Sequence, residues 1–165
     1  LIYKRSLVAI DKFEKKLTCI RKYETVLLCC DFMNIFKNIG QNTNDIYVDG
    51  QLRLVIEHCS GSVAGVIDLC TFDARHSRAE VGIVVLKEFR RRGIARSALS
   101  LLERHCFSLL GMHQLYAYVK TSNAACINLF HSAGFNTTGV LKDWLHTGRG
   151  YRDVCLLQKM NPLIA

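Results

Sequence analysis

Apolar positions alternate with polar ones, or recur at helical spacing, through most of the chain, and from residue 51 onward the pattern resolves into strands and two helices. Leu52, Leu54 and Ile56 alternate with Arg53 and Glu57 directly after the turn dipeptide Asp49-Gly50, which predicts a strand. Ser60-Gly61-Ser62 turns the chain back into 63–72, rich in Val, Ile and Leu, so the two runs predict a hairpin. A polar loop over 73–78 precedes a third strand at 79–86. Over 96–110 the period changes: residues 98, 101, 102, 106 and 109 are apolar on one face, with Arg96, Ser100, Glu103 and Arg104 largely opposite, a helix that Gly111 ends. Residues 115–120 predict a strand and 123–133 a short helix capped by Gly134. Val140, Leu141 and Trp144 with 151–159 predict a final hairpin around Thr147-Gly148-Arg149-Gly150. Strands, helix, strand, helix and strands in that order predict a mixed α/β sheet.

The first 50 residues are patterned less regularly. Apolar side chains fall at mixed spacing over 12–20 and 23–39, where Val26, Leu27, Cys29, Cys30, Phe32, Met33 and Phe36 fit a buried helix that stops at Gly40, with 41–44 as loop. At 165 residues the chain reads as one domain able to bury a core without disulfides. Half of it is apolar, yet no run reaches the roughly 18 to 20 residues of a membrane span, the longest candidate, 26–35, being broken by Asp31 and Asn34. Residues 1–10 lack the apolar stretch and cleavage site of a signal peptide. The eight cysteines form no Cys-x-x-Cys pair and join no histidine at ligand spacing, so they read as free buried thiols; no metal is expected, and a reducing, cytoplasmic location is. The net charge of +8 raises nucleic acid as a partner, but the basic residues are spread along the chain and Phe89 is the one aromatic residue within the sharpest cluster. Nucleic-acid binding is therefore not expected.

That cluster, Arg90-Arg91-Arg92-Gly93-Ile94-Ala95-Arg96, sits where the third strand hands over to the long helix. A glycine there lets a ligand approach the backbone, and the helix opens with amides that have no internal partner, so the turn suits an anion. It is neither a Walker loop, since no Gly-Lys-Ser/Thr follows, nor a Gly-x-Gly-x-x-Gly loop. The pattern Arg-x-x-Gly-x-Ala resembles the coenzyme A pyrophosphate loop of the GNAT superfamily of acyl-CoA-dependent N-acetyltransferases. A second block at the family's spacing strengthens it: Asn123, then Ala125, Ile127, Leu129 and Phe130, closing with Ala133-Gly134-Phe135. The resemblance covers about the last two thirds of the chain, from Gln51 onward. Within the superfamily, Arg78-Ala79-Glu80-Val81-Gly82 and the tail around Asp143-Trp144 and Tyr151-Arg152-Asp153 look most like the ribosomal-protein N-terminal and spermidine N-acetyltransferases.

The resemblance implies a single GNAT-like domain over 1–165, with a mostly antiparallel central sheet flanked by helices and a coenzyme-binding core at 51–160. The segment 1–50, which in the family supplies a first strand and two acceptor-side helices, departs from the family pattern. Implied too is transfer of an acetyl group from acetyl-CoA to a primary amine, a protein or peptide N-terminus or a polyamine, by direct attack in a ternary complex. The coenzyme would lie on Arg90, Arg91, Arg92, Gly93, Ile94, Ala95 and Arg96 with Asn123, and an amide at Val84 or Val85 would face the thioester oxygen. Phe130 stands beside the coenzyme where many relatives carry a tyrosine general acid. Glu80 is the candidate base if burial raises its pKa or a water intervenes; it could equally anchor a cationic acceptor, or pair with Arg78 or Arg53 at a strand edge. A substitute proton donor is sought among Tyr116, Tyr118 and, as first choice, Tyr151, whose other reading is packing against Trp144; His131 and Cys126 read as structural. Two other expectations stand beside these. The chain could hold acyl-CoA without turnover, and its final hairpin could pair copies as a homodimer.

Overall fold

The computed structural model describes residues 18–22, 46–58, 62–148 and 150–164. The helix expected over 26–36, the loop at 41–44 and the reversal at 60–61 lie outside them. Strands β1 (Thr18–Lys22), β2 (Leu52–His58), β3 (Val63–Asp73), β4 (Arg78–Val85), β5 (Gln114–Lys120), β6 (Asn136–Thr147) and β7 (Gly150–Met160) form one sheet in the order β1-β2-β3-β4-β5-β7-β6. All neighbours are antiparallel except β4 and β5. Helices α1 (Ile46–Asp49), α2 (Ile94–Arg104) and α3 (Ala124–Ser132) complete the order. No helix among the described residues is long and apolar enough to cross a membrane.

Within the opening segment, where the mixed apolar spacing predicts no strand, the chain forms β1. It lies antiparallel to β2 with Ile20 opposite Ile56. Five residues at a sheet edge are held by backbone pairing, which leaves little side-chain periodicity to read.

Period-two alternation lines one face of the sheet with Leu54, Ile56, Ile67, Leu69, Val81 and Leu115, all buried. Against that core, α2 contributes Ala98, Leu99, Leu101 and Leu102. Each such leucine contributes roughly 1.5–3 kcal/mol when fully buried. The helix continues as one π turn, His105–Leu109. A π turn holds more residues than an α turn and shifts the phase of the face, so Cys106 and Phe107 are buried while Leu109, expected on the apolar side, is 51% exposed. Gly65 marks a close approach of β3 to β4: a Cβ there would lie 2.1 Å from the Val84 carbonyl oxygen.

The parallel pair is short. Arg78, Ala79 and Glu80 pair with Gln114, Leu115 and Tyr116, and the ladder ends there, although β4 runs on to Val85 and β5 to Lys120. The sheet splits between its two halves. Which β4 amides face the split follows from the other edge of the strand: the Leu86 N–H donates to the Ala64 carbonyl of β3, so by alternation Val84 and Gly82 also face β3, while Val85 and Ile83 face the split.

Candidate active site

The split opens into two adjoining clefts. The larger, about 620 Å3, lies between the end of β4, the turn into α2 and the first turns of α3. The turn is built for an anion. Arg91 (φ +59°) and Gly93 (φ +77°) both have left-handed backbone. An Arg in that region is uncommon and carries strain that the turn must compensate. Alternating right- and left-handed residues make a concave nest of N–H groups. The first internal helix bond runs from the Ser97 N–H to the Gly93 carbonyl, so Ile94, Ala95 and Arg96 keep their amides for a ligand.

Arg90, Arg91 and Arg96 line this cleft, and among the described residues no carboxylate does. The Arg90 Nε donates to the Val85 carbonyl at 2.9 Å, which fixes its guanidinium at the mouth of the split. Arg92 differs from its neighbours: its guanidinium stands 5.9 Å over the Phe89 ring and is not among the lining groups. Opposite, Asn123 caps α3 by accepting from the Cys126 N–H at 3.2 Å. With its Oδ1 used inside the protein, its side-chain amide has N–H groups left to donate. Ile83, Val85, Ala125 and Leu129 give the cleft an apolar floor.

The smaller cleft, about 270 Å3, meets the first at Ile83, Val84, Asn123 and Cys126 and continues between β4 and β5. Glu80 lines it, and burial pushes its carboxyl above the ordinary range although a hydrogen bond from Thr71 acts the other way. Thr71, at an irregularity of β3 with φ +46°, also shares a hydrogen bond of 2.8 Å with the Tyr116 hydroxyl. Neither arginine expected as a partner of Glu80 takes that place. Arg53 forms a two-pronged ion pair with the buried Asp68, at 2.8 and 2.9 Å, and Arg78 pairs with Asp73 at 3.2 Å. Burial raises the thiols of Cys70, to about 11, and of Cys126, so both stay protonated near neutrality.

Phe130 lines this second cleft rather than the first, 1% exposed and edge-on to Phe135 at 4.9 Å. A hydroxyl in the same cleft comes from β5. Tyr118 lines the cleft, and desolvation, then Tyr116 and Glu80, raise its phenol. Tyr151 is not brought here: it is 58% exposed, lines neither cleft and packs against His146, while Trp144 stacks on Tyr118 instead. His131 shares a hydrogen bond with Thr137 at 2.9 Å, tying α3 to β6. Alternation within β5 already sets Tyr116 and Tyr118 on one face. Placing that face beside Glu80 required the register of β4 against β5, which no local pattern encodes.

Residues 28–135 match the model of the acetyltransferase (GNAT) family. The chain is 29% identical over 116 residues to the spermidine N(1)-acetyltransferase of Escherichia coli (strain K12), covering 68% of this chain; it spans 62% of that relative's length. Among solved structures, spermidine N-acetyltransferase from Vibrio cholerae in complex with CoA and spermine matches with a TM-score of 0.67 at 24% identity, over 70% of this chain and 69% of that one. A dodecameric structure of the same enzyme matches with a TM-score of 0.66, at 24% identity over 70% and 68%. At that identity the structural likeness is one of fold. The family match takes in the β4–α2 turn, the split and α3 as far as Phe135, and by it the chain belongs to the acetyltransferase (GNAT) family.

Proposed function

We propose that this chain transfers the acetyl group of acetyl-CoA directly to a primary amine of a polyamine. The observation that carries the reading is the split between β4 and β5, where a basic, amide-lined cleft shares Ile83, Val84, Asn123 and Cys126 with the one that Glu80 lines. The larger cleft fits the coenzyme. Arg90, Arg91 and Arg96 with the amides of 94–96 would hold its phosphates, and Asn123 and the Val85 edge its amide-bearing arm. Acetyl-CoA supplies the activated acyl group.

The chain's own groups divide the remaining tasks. Of the two residues expected to stabilise the thioester oxygen, the alternation of β4 favours Val85 over Val84, because its N–H faces the split. An alkylammonium has a pKa of about 10.4 and must lose a proton before it attacks. Glu80, with its raised pKa, suits that transfer. Tyr118, held protonated, is the donor we assign to the departing sulfur in place of Tyr151. The protonated thiols of Cys70 and Cys126 support direct transfer over an acyl-cysteine route. Free Cys70, Cys106, Cys126 and Cys155 fit a reducing, cytoplasmic setting. Among the described strands β6 ends the sheet, and it offers an edge for pairing of copies.

The test is to incubate the protein with acetyl-CoA and, separately, spermidine and a peptide with a free N-terminus, following product by mass. Acetylated spermidine is expected. Acetyl-CoA binding with no product from any amine would replace this reading with a binding module, which the lack of a hydroxyl at Phe130 favours; acetylation of the peptide alone would move the acceptor to N-termini.

A further inference from the structure

Trp144 is the single tryptophan of the chain, and its placement is costly. It is 56% exposed and lies in a bulge where 142–144 of β6 stand opposite the single residue Asp153, between the pairs Leu141–Val154 and Leu145–Arg152. The neighbouring Asp143 has φ +49°, a left-handed conformation that is strained for a non-glycine residue. Two contacts hold this bulge. The Asp143 N–H donates to Asp153 Oδ1 at 3.0 Å, and Lys142 Nζ donates to Asp153 Oδ2 at 2.7 Å. The outcome is a stacked pair: the indole lies on the Tyr118 ring, centroids 6.1 Å apart and planes 28° apart. Bulges next to sites re-aim side chains, and a strained residue beside one points to function.

What the indole is aimed at follows from the strands. Tyr118 lines the cleft of Glu80 and also a neighbouring one of about 260 Å3 along β5 and β7. Tyr116, edge-on to Tyr118 at 5.7 Å, is the register partner of Glu80. Glu80, Tyr116, Tyr118 and Trp144 thus make one strip on the face of the sheet away from the α2 core. Two residues of strand are about 7 Å and neighbouring strands about 5 Å apart. Adding the stacked pair puts the indole on the order of 10–15 Å from Glu80 along the strip. A short monoamine held at Glu80 cannot touch the indole; an extended polyamine can, laying methylenes along the rings and a second ammonium on an aromatic face.

We propose that Trp144 on Tyr118 is the wall that selects long, multiply charged acceptors, and that Asp153 is the positioning residue that sets it. The inference rests on the reading of the split as an amine-acetylating site and adds to it a determinant of acceptor length. Cation–π contact at a partly desolvated site corresponds to a factor of about 5 to 30.

The experiment compares kcat/KM for spermidine with that for propylamine. In Trp144→Ala the spermidine-to-propylamine ratio is expected to fall about 5- to 30-fold, with Trp144→Phe recovering part of it. Asp153→Asn is expected to lower the same ratio and to red-shift the tryptophan emission, which reports on Trp144 alone. Spermidine, without acetyl-CoA, is expected to change that emission saturably. A ratio unchanged in Trp144→Ala overturns the wall, and a ratio and emission unchanged in Asp153→Asn overturn the positioning role. If the unaltered protein acetylates no amine, the proposed function fails by itself. The spermidine titration then decides the wall alone: a saturable change supports it and a flat response overturns it.

Discussion

Glu80 carries an expectation that pH can test. Burial raises its carboxyl, so the form able to accept a proton appears only as pH rises through that raised value. The acid limb of kcat/KM is expected above the ordinary carboxylate range, and Glu80→Gln is expected to remove it and lower the rate by about 10²- to 10⁴-fold. An unaltered pH profile in that variant would remove Glu80 from the chemistry. Gly93 tests the other cleft. A Cβ at Gly93 meets nothing within 4 Å, so the obstacle to a side chain is the left-handed backbone and the approach of the ligand, not packing. Gly93→Val is expected to leave the protein folded but without measurable acetyl-CoA binding by calorimetry; unchanged affinity would dissociate the turn from the coenzyme. The single residues of the turn were legible because a turn is local. The partner of Trp144 was not, since Tyr118 lies 26 positions away and a strained bulge brings them together.

Among elements, the β3–β4 pair bears most directly on the site. Gly65→Ala would drive a Cβ into the Val84 carbonyl, a backbone atom that cannot swing aside, and an overpacking cost of about 1–3 kcal/mol is expected in chemical denaturation. The same push on β4 should weaken acetyl-CoA binding. At the other end of the pair, Asp73 accepts from the His76 N–H and shares a hydrogen bond with its ring, and these with Arg78 pull its carboxyl down to about 2. Its folded value lies below the ordinary 3.8, so its contribution to stability is complete above that value and is lost as pH falls through about 2. Asp73→Asn is expected to flatten the acid end of the urea midpoint against pH, and an equally steep loss would clear Asp73. Among the described residues, alternation and amphipathic spacing located six of the seven strands and two of the helices. They missed β1, whose five residues are held by an edge ladder, and the phase shift at the π turn, which turns Leu109 outward.

For the molecule as a whole, binding across both halves of the sheet should appear as stability. Acetyl-CoA at about 100 times its Kd is expected to add roughly 2.7 kcal/mol, on the order of 5–10 °C in Tm for a chain of this size. ATP at equal concentration is expected to give less, and equal shifts would reduce the cleft to a general phosphate site. The β2–β3–β4 meander and the final hairpin could be anticipated from the sequence because consecutive elements are spatial neighbours there, whereas the placing of β7 between β5 and β6 could not. The split could not, because it is where a crossover joins strands separated by all of α2. That split has a further consequence for exchange with solvent. Val85 and Ile83 lie mid-sheet, a place where amides ordinarily resist deuterium for as long as the fold persists, yet their N–H groups face the gap. They should take up deuterium early, while Val84 and Gly82, one residue along the same strand and bonded to β3, take it up late. Acetyl-CoA would close that alternation, so that a strand reading as every second amide becomes protected throughout.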